Sequence, residues 1–281
     1  MTYELNYMQA AQEILDRGWT YVDCPPDCNP RGILDRLPTF LDRRQQHDAR
    51  QWQATRPGED EPDVGYKKST KSDKNHSGRP KDQKEYLMYT PDMARLLYEQ
   101  HGTRVYANQA DVDVLRATDR LHRAGLEISR SVLLALDQLL DPKPAVSLVQ
   151  AFDFAHMQYA PTATSATRLM RYLIDGGQSH VDRAALTAHW ADKGGDLFAV
   201  SPFTGEMRVV SPAPGKVLLF PSVKLQIATK GRLLAIQHGS HCQKDIARLA
   251  AVTFCQLITD PLVQDQQEAI DAGLEHYQLV A

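Results

Sequence analysis

Between residues 8 and 17 the apolar positions are Met8, Ala11, Ile14 and Leu15, the spacing of one helix face, and Gly18 ends the run. Residues 19–22, Trp-Thr-Tyr-Val, are aromatic and branched and predict a strand. Pro25 and Pro26, between Cys24 and Cys28, make the next stretch a turn. A short helix is expected within residues 32–44. Thr90, Pro91 and Asp92 start another, with a capping hydroxyl, a first-turn proline and an acid at the positive helix end, and it runs toward Gln100. The longest helical pattern follows Asn108. Val114, Leu121 and Ile128 lie seven apart, and Val132, Leu136 and Leu139 continue that side. Gly125 falls inside it as a point of bending or interruption. The heptads are not sustained with flanking charges, so the pattern predicts a helix packed on a sheet rather than a coiled coil.

After Pro144 the helical period gives way to short runs of strand character. They are residues 152–159, 167–173, 197–200, 208–210, 216–220, 233–238 and 248–257, parted by turn residues such as Gly176-Gly177, Gly194-Gly195, Pro214-Gly215 and Lys230-Gly231. Helices first and strands later predict an α+β chain with an all-β core of sandwich or barrel type. Residues 261–277 predict a last helix. Residues 56–84 are polar, locally basic and rich in glycine and proline, a surface excursion that can serve as a lid. The expected organisation is an amino-terminal region, 1–110, carrying that lid, and a core region, 111–281, the two forming one compact unit.

Composition adds limits. The chain has 281 residues, 42% apolar and 24% charged, which allows a sizeable core. A formal net charge of −3 gives no general attraction to nucleic acid or anionic membrane, and the lysines near residue 70 lack interleaved aromatics. No apolar run approaches the roughly 20 residues of a membrane span, and the start lacks a signal-peptide pattern. Four cysteines do not make a disulfide scaffold in a chain this long, so a reduced, cytoplasmic protein is expected.

Candidate chemistry centres on His180-Val181-Asp182. In an extended segment the two ligand-type side chains share one face. His238, expected at the end of a later strand, supplies a third. Two histidines and one carboxylate on one side of a metal leave other positions open, as in non-haem Fe(II) oxygenases. Arg248 follows ten residues on, and alternation places it with Ala250, Val252 and Phe254. An inward arginine needs an anion, and a carboxylate ligand can supply one. Tyr172 can add a hydroxyl. His241 is a weaker alternative ligand, His189 suits packing, and Cys24 with Cys28 lacks the second pair a zinc site needs.

In order and spacing these residues resemble the isopenicillin N synthase-like family of Fe(II)/2-oxoglutarate-dependent dioxygenases. Arg171-Tyr172 is similar to the family's Arg/Asn-Tyr-Tyr-Pro region. Leu186-Thr187, Pro214-Gly215, Leu225-Gln226 and Thr229-Lys230-Gly231 are similar to its later steps. The resemblance covers most of the chain. It implies a double-stranded β-helix, or jelly roll, flanked by helices, and Fe(II) held by His180, Asp182 and His238. It also implies 2-oxoglutarate on the iron with its distal carboxylate on Arg248 and Tyr172, O2 as oxidant, and hydroxylation, desaturation or cyclisation at an unactivated carbon of a small molecule. The chain departs from the pattern at Ala250, where the family's Arg-x-Ser has a serine, and at Gly239 and Leu173. Tyr66, Tyr159, Arg168 and Phe198 are the candidate substrate contacts, and an arginine among them suits an amino-acid-like or other carboxylate substrate. The alternatives are a 2-oxoglutarate-independent iron oxidase of the same fold and a non-catalytic jelly-roll binding protein. Neither nucleic acid nor membrane is an expected partner, and the oligomeric state is open.

Overall fold

The computed structural model describes residues 2–44, 49–69, 82–157, 165–173 and 176–258. The chain runs α1 (Thr2–Arg17), β1 (Thr20–Asp23), α2 (Pro30–Arg43), β2 (Gln53–Ala54), β3 (Val64–Ser69), β4 (Lys84–Tyr89), α3 (Met93–His101), α4 (Gln109–Leu139) and α5 (Leu148–Met157). It continues β5 (Ala166–Tyr172), β6 (Leu186–Lys193), β7 (Gly195–Val200), β8 (Met207–Val209), β9 (Lys216–Pro221), α6 (Val223–Ala228), β10 (His238–Cys242) and β11 (Arg248–Cys255). The strands form an eight-stranded sheet, ordered β1-β9-β6-β11-β5-β4-β3-β2, and a three-stranded sheet, β10-β7-β8. All of their pairings are antiparallel. The four amino-terminal strands thus hydrogen-bond into the sheet that carries β5, β6, β9 and β11.

Strand alternation divides the large sheet into two faces. Leu249, Ala251 and Cys255 of β11, Leu186 and Ala188 of β6, and Val217 and Leu219 of β9 join the main core. So do Ile33, Leu34 and Leu37 of α2, and Leu121, Ile128 and Val132 of α4. The opposite face carries Met170 and Tyr172 of β5 with Ala250 and Val252 of β11. Toward β9 that face meets the small sheet, where Leu218 and Phe220 pack with Trp19, Leu197, Ala199 and Ile236. The helices therefore cover one side of the large sheet, and the small sheet faces the other. This is an α+β chain with a jelly-roll core.

Several sequence expectations need correction. Residues 152–157 lie in α5, not in a strand; Leu148 and Phe152, four apart, are both buried in the main core, which is helical spacing. Residues 233–237 are irregular, and the strand begins only at His238. Part of the supposed lid is the hairpin of β3 and β4, with Lys84 the first residue of β4; residues 70–81 lie outside the described ones. The expected helix over residues 261–277 also lies outside them. Residues 186–193, absent from the expected strands, form the interior strand β6. No helix among the described residues is long and apolar enough to cross a membrane.

Gly125 does not interrupt α4, which runs unbroken for 31 residues. It brings the helix against β11: a Cβ at Gly125 would meet Thr253 Cγ2 at 2.9 Å. Thr253 cannot yield easily, because its Oγ1 lies 2.9 Å from Trp190 Nε1 and 2.8 Å from Thr167 Oγ1. Gly125→Val is therefore expected to destabilise the fold by about 1–3 kcal/mol through overpacking. Urea denaturation should show a lower midpoint with an unchanged slope.

Candidate metal centre and its cavity

The two candidate histidines are joined through the backbone before their side chains are considered. His180 N donates to His238 O and His238 N to His180 O, each at 2.8 Å, an isolated antiparallel bridge. This brings the two rings to 4.5 Å between centroids. The segment leading to His180 is pressed onto β10 by Gly176, where a Cβ would lie 2.1 Å from Ser240 O, and its φ of +77° also favours glycine. Gly177 N donates to Ser240 Oγ at 2.7 Å and Ser240 N to Gly177 O at 2.9 Å.

Both rings are then oriented in the same way. His180 Nδ1 lies 2.7 Å from Gln178 O, and His238 Nδ1 lies 3.0 Å from Ile236 O. A carbonyl oxygen can only accept, so each Nδ1 carries the proton, and in the neutral ring Nε2 keeps its lone pair. Each Nε2 is 3.5 Å from an Asp182 oxygen, His180 to Oδ1 and His238 to Oδ2. The three ligand atoms all lie within 4.8 Å of one another. Burial pushes His238 down to about 4, which leaves its imidazole neutral and available as a ligand. Burial alone would raise the Asp182 carboxyl. The two histidines and the Thr187 hydroxyl outweigh it and hold Asp182 below the usual carboxylate range. Thr187 Oγ1 donates to Asp182 Oδ2 at 2.7 Å and contacts Ser222 Oγ at 2.9 Å, a support that fixes the carboxylate's orientation. The set fits a divalent metal with open positions, by donor chemistry and by ring orientation.

This cluster opens onto a cavity walled by the inward face of the large sheet and part of the small one. Cross-strand register sets the wall in rows. Lys84, Tyr172 and Arg248 stand side by side on β4, β5 and β11. Tyr86, Met170, Ala250 and Asp192 make the next row, and Met88, Arg168, Val252 and His189 the one after. Arg248 and Tyr172 thus reach the cavity, with the Arg248 guanidinium 5.2 Å from the Tyr172 ring centroid and Lys84 Nζ 5.4 Å from the same ring. The Tyr172 hydroxyl points to Met170 Sδ at 3.8 Å, a weak contact. Arg248 is already partnered: its Nη2 donates to Asp192, which also lies 2.9 Å from His189 Nε2. Arg248 Nε is buried without a hydrogen-bond partner.

The candidate substrate contacts divide. Arg168 lines the cavity, with its guanidinium carbon 5.3 Å from the Tyr86 ring centroid and 4.9 Å from that of Phe254. Its Nε is buried and unpaired, and it has no ion pair among the described residues. Tyr66 is corrected. It is buried in the main core on the helix side of β3 and donates to Glu85 at 2.9 Å, away from the cavity. Phe198 is corrected too. Leu197 and Ala199 pack between the sheets, so Phe198 takes the outer face, stacked on His241 at 4.8 Å. That stack turns His241 away from the metal cluster, and the Phe198 ring fills the space a Cβ at Gly239 would need. Tyr159 lies outside the described residues.

Three contributors were not anticipated. Lys84 stands at the end of the polar stretch 56–84, yet Lys84, Tyr86 and Met88 have the alternation of a strand. Asp192 had no visible signal. Thr187 was noted only as part of a motif, and its contact with Asp182 depends on the fold.

No protein-family model matches this sequence, and no curated protein matches it. Solved structures do. The dioxygenase for auxin oxidation 1 from Arabidopsis thaliana, solved with 2-oxoglutarate, superposes with a TM-score of 0.62 at 14% identity, over 92% of this chain and 90% of that one. A 2OG-Fe(II) oxygenase family protein from Caulobacter crescentus gives 0.59 at 16%, over 92% and 85%. The rice dioxygenase for auxin oxidation gives 0.60 at 18%, over 90% and 78%. This chain has the fold of the 2-oxoglutarate- and Fe(II)-dependent oxygenases.

Proposed function

We propose that the protein is an Fe(II)- and 2-oxoglutarate-dependent dioxygenase that oxidises an unactivated C–H bond of a small, anionic metabolite. The observation that carries this reading is the matched pair of imidazoles. Both donate Nδ1–H to a backbone carbonyl and turn Nε2 to one carboxylate, on the wall of a cavity that also holds Arg248. His180, Asp182 and His238 would hold the iron. When bound, Fe(II) with 2-oxoglutarate activates O2 and oxidises the substrate, with succinate and carbon dioxide as products.

The chain's own residues bind and orient. Thr187 holds the Asp182 carboxylate, and Phe220 packs against the His238 ring at 4.8 Å between centroids. Arg248, beside Tyr172 and with an Nε that has no partner among the described residues, would hold the distal carboxylate of the 2-oxo acid. Among the described residues Arg168 has no ion pair, and its place between two aromatic rings suits a substrate carboxylate. Four free cysteines suit a reducing, cytoplasmic setting. Two observations favour a second reading, an oxidase of this fold that needs no 2-oxo acid: Arg248 has an internal carboxylate partner, and Ala250 lacks a hydroxyl. Succinate formed in proportion to O2 consumed supports the dioxygenase. Sustained substrate oxidation without any 2-oxo acid supports the oxidase.

Metal binding is tested directly. His180→Ala and Asp182→Ala are expected to weaken Fe(II) binding by about 100-fold or more, since each removes a ligand rather than a supporting contact, which is typically worth about 10–100-fold. Anaerobic titration followed by electronic absorption measures this, and Phe198→Leu, on the outer face, should bind as the parent does. Unchanged affinity in the two ligand variants defeats the assignment.

The substrate's charge is tested with matched pairs of carboxylic acids and their methyl esters. A true substrate acid is expected to bind about 10–150-fold tighter than its ester, the worth of a charge-assisted hydrogen bond of about 1.5–3 kcal/mol. Arg168→Met should erase that preference. Equal affinity for acid and ester in the parent protein removes the carboxylate requirement.

A further inference from the structure

Strand β6 breaks its alternation at one point. The register against β11 shifts between Ala251 and Val252, so that Ala251 faces Ala191 and Val252 faces His189, with Trp190 in the bulge between them. Trp190 is anchored on the helix side of the sheet, 1% exposed, with its Nε1 donating to Thr253 Oγ1. Ala191, its neighbour, is buried in the same core. Two consecutive residues thus turn to the helices, and the residues on either side, His189 and Asp192, both turn to the opposite face, where His189 lines the cavity and Asp192 reaches Arg248. A regular strand could not put positions three apart on one face.

The bulge delivers a carboxylate to Arg248. Asp192 accepts from Arg248 Nη2 through Oδ1, and its Oδ2 lies 2.9 Å from His189 Nε2. The arginine and aspartate side chains are only 2% and 5% exposed, so water screens this pair little. Asp192 stays ionised: burial opposes its charge, but His189 and Arg248 outweigh burial and hold the carboxyl below its usual range. In register, Asp192 stands opposite Ala250, the position where the resembled family's Arg-x-Ser has its hydroxyl. The same row therefore lacks that donor and holds an anion.

We infer that Asp192 is a specificity-determining residue that neutralises Arg248 from the cavity wall, so that the site accepts 2-oxo acids with an uncharged far end nearly as well as 2-oxoglutarate. The inference rests on the proposed dioxygenase reading. A free arginine rewards a distal carboxylate with two charge-assisted hydrogen bonds. Here one of the guanidinium nitrogens is taken, and a second carboxylate must lie near the first, which is unfavourable at low dielectric. The terminus of the 2-oxo acid then contributes little, and its 2-oxo carboxylate end, on the metal, contributes most.

The test is equilibrium calorimetry on Mn(II)-loaded protein with 2-oxoglutarate and 2-oxovalerate, which has the same chain length and a methyl group in place of the distal carboxylate. The parent protein is expected to prefer 2-oxoglutarate by less than about tenfold. In Asp192→Asn, which keeps an acceptor for Arg248 but not the charge, the preference should grow by about tenfold or more, through tighter binding of 2-oxoglutarate alone. The parent measurement stands by itself if the variant does not fold: a preference of about 100-fold or more overturns the inference. An Asp192→Asn variant that binds 2-oxoglutarate no better, or more weakly, overturns it as well and makes Asp192 a residue that merely orients the arginine. If neither 2-oxo acid binds the metal-loaded parent, the dioxygenase reading fails and this inference falls with it. Binding of both with an unaltered ratio in the variant removes the inference alone.

Discussion

Strand β11 pairs with β5 on one side and β6 on the other, and its alternation must serve two environments at once. Leu249, Ala251, Thr253 and Cys255 face the helices; Arg248, Ala250, Val252 and Phe254 face the cavity. A slip of one residue would drive Arg248 into an apolar core and Leu249 into the cavity, and an unpaired buried guanidinium costs several kcal/mol. The register is therefore strongly specified. Features on both sides of the sheet depend on it: the close approach of α4 at Gly125 and the rows of side chains around the candidate metal centre.

That dependence explains what was legible from sequence. His180, Asp182, His238, Arg248 and Tyr172 carry chemistry in their side chains and stand in an order that resembles a known family's, so they can be picked out before any strand is placed. The long helix over residues 109–139 was legible for a similar reason, since its apolar positions repeat over several turns. Strand β6 was not, because it is buried along most of its length and the bulge at Trp190 spoils its period. Residues 152–157 misled because a short apolar run fits a buried strand and a helix alike, and only packing decides. Residues 233–237 misled because an apolar run leading to a strand need not belong to it.

Asp192 and Lys84 were illegible for a deeper reason. A lone aspartate in a strand or a lysine beside a polar loop looks like a solvated surface residue, which is the ordinary case. The neighbours that mark each as something else are distant in sequence: Arg248 pairs with Asp192, and the Tyr172 ring lies 5.4 Å from Lys84 Nζ. Tyr66 and Phe198 erred in the opposite direction. Aromatic residues near a candidate site invite a substrate role, yet strand parity alone sends Tyr66 to the helices and Phe198 to the outer face.

The cavity's charges then make a consistent pattern. Asp182 faces two imidazoles that a metal would complete; Arg248 faces Asp192; Lys84 lies 3.4 Å from Asp82. Each of these ions has an opposite charge, or a place for one, beside it. Arg168 has two aromatic rings instead, which hold the guanidinium plane but supply no hydrogen-bond acceptor for its N–H groups. A half-buried guanidinium whose Nε has no acceptor among the described residues carries an unsatisfied donor. A substrate carboxylate would satisfy it. On the proposed reading, the selectivity for the small molecule would lie at Arg168, and the Arg248 site, paired with Asp192, would retain less of it.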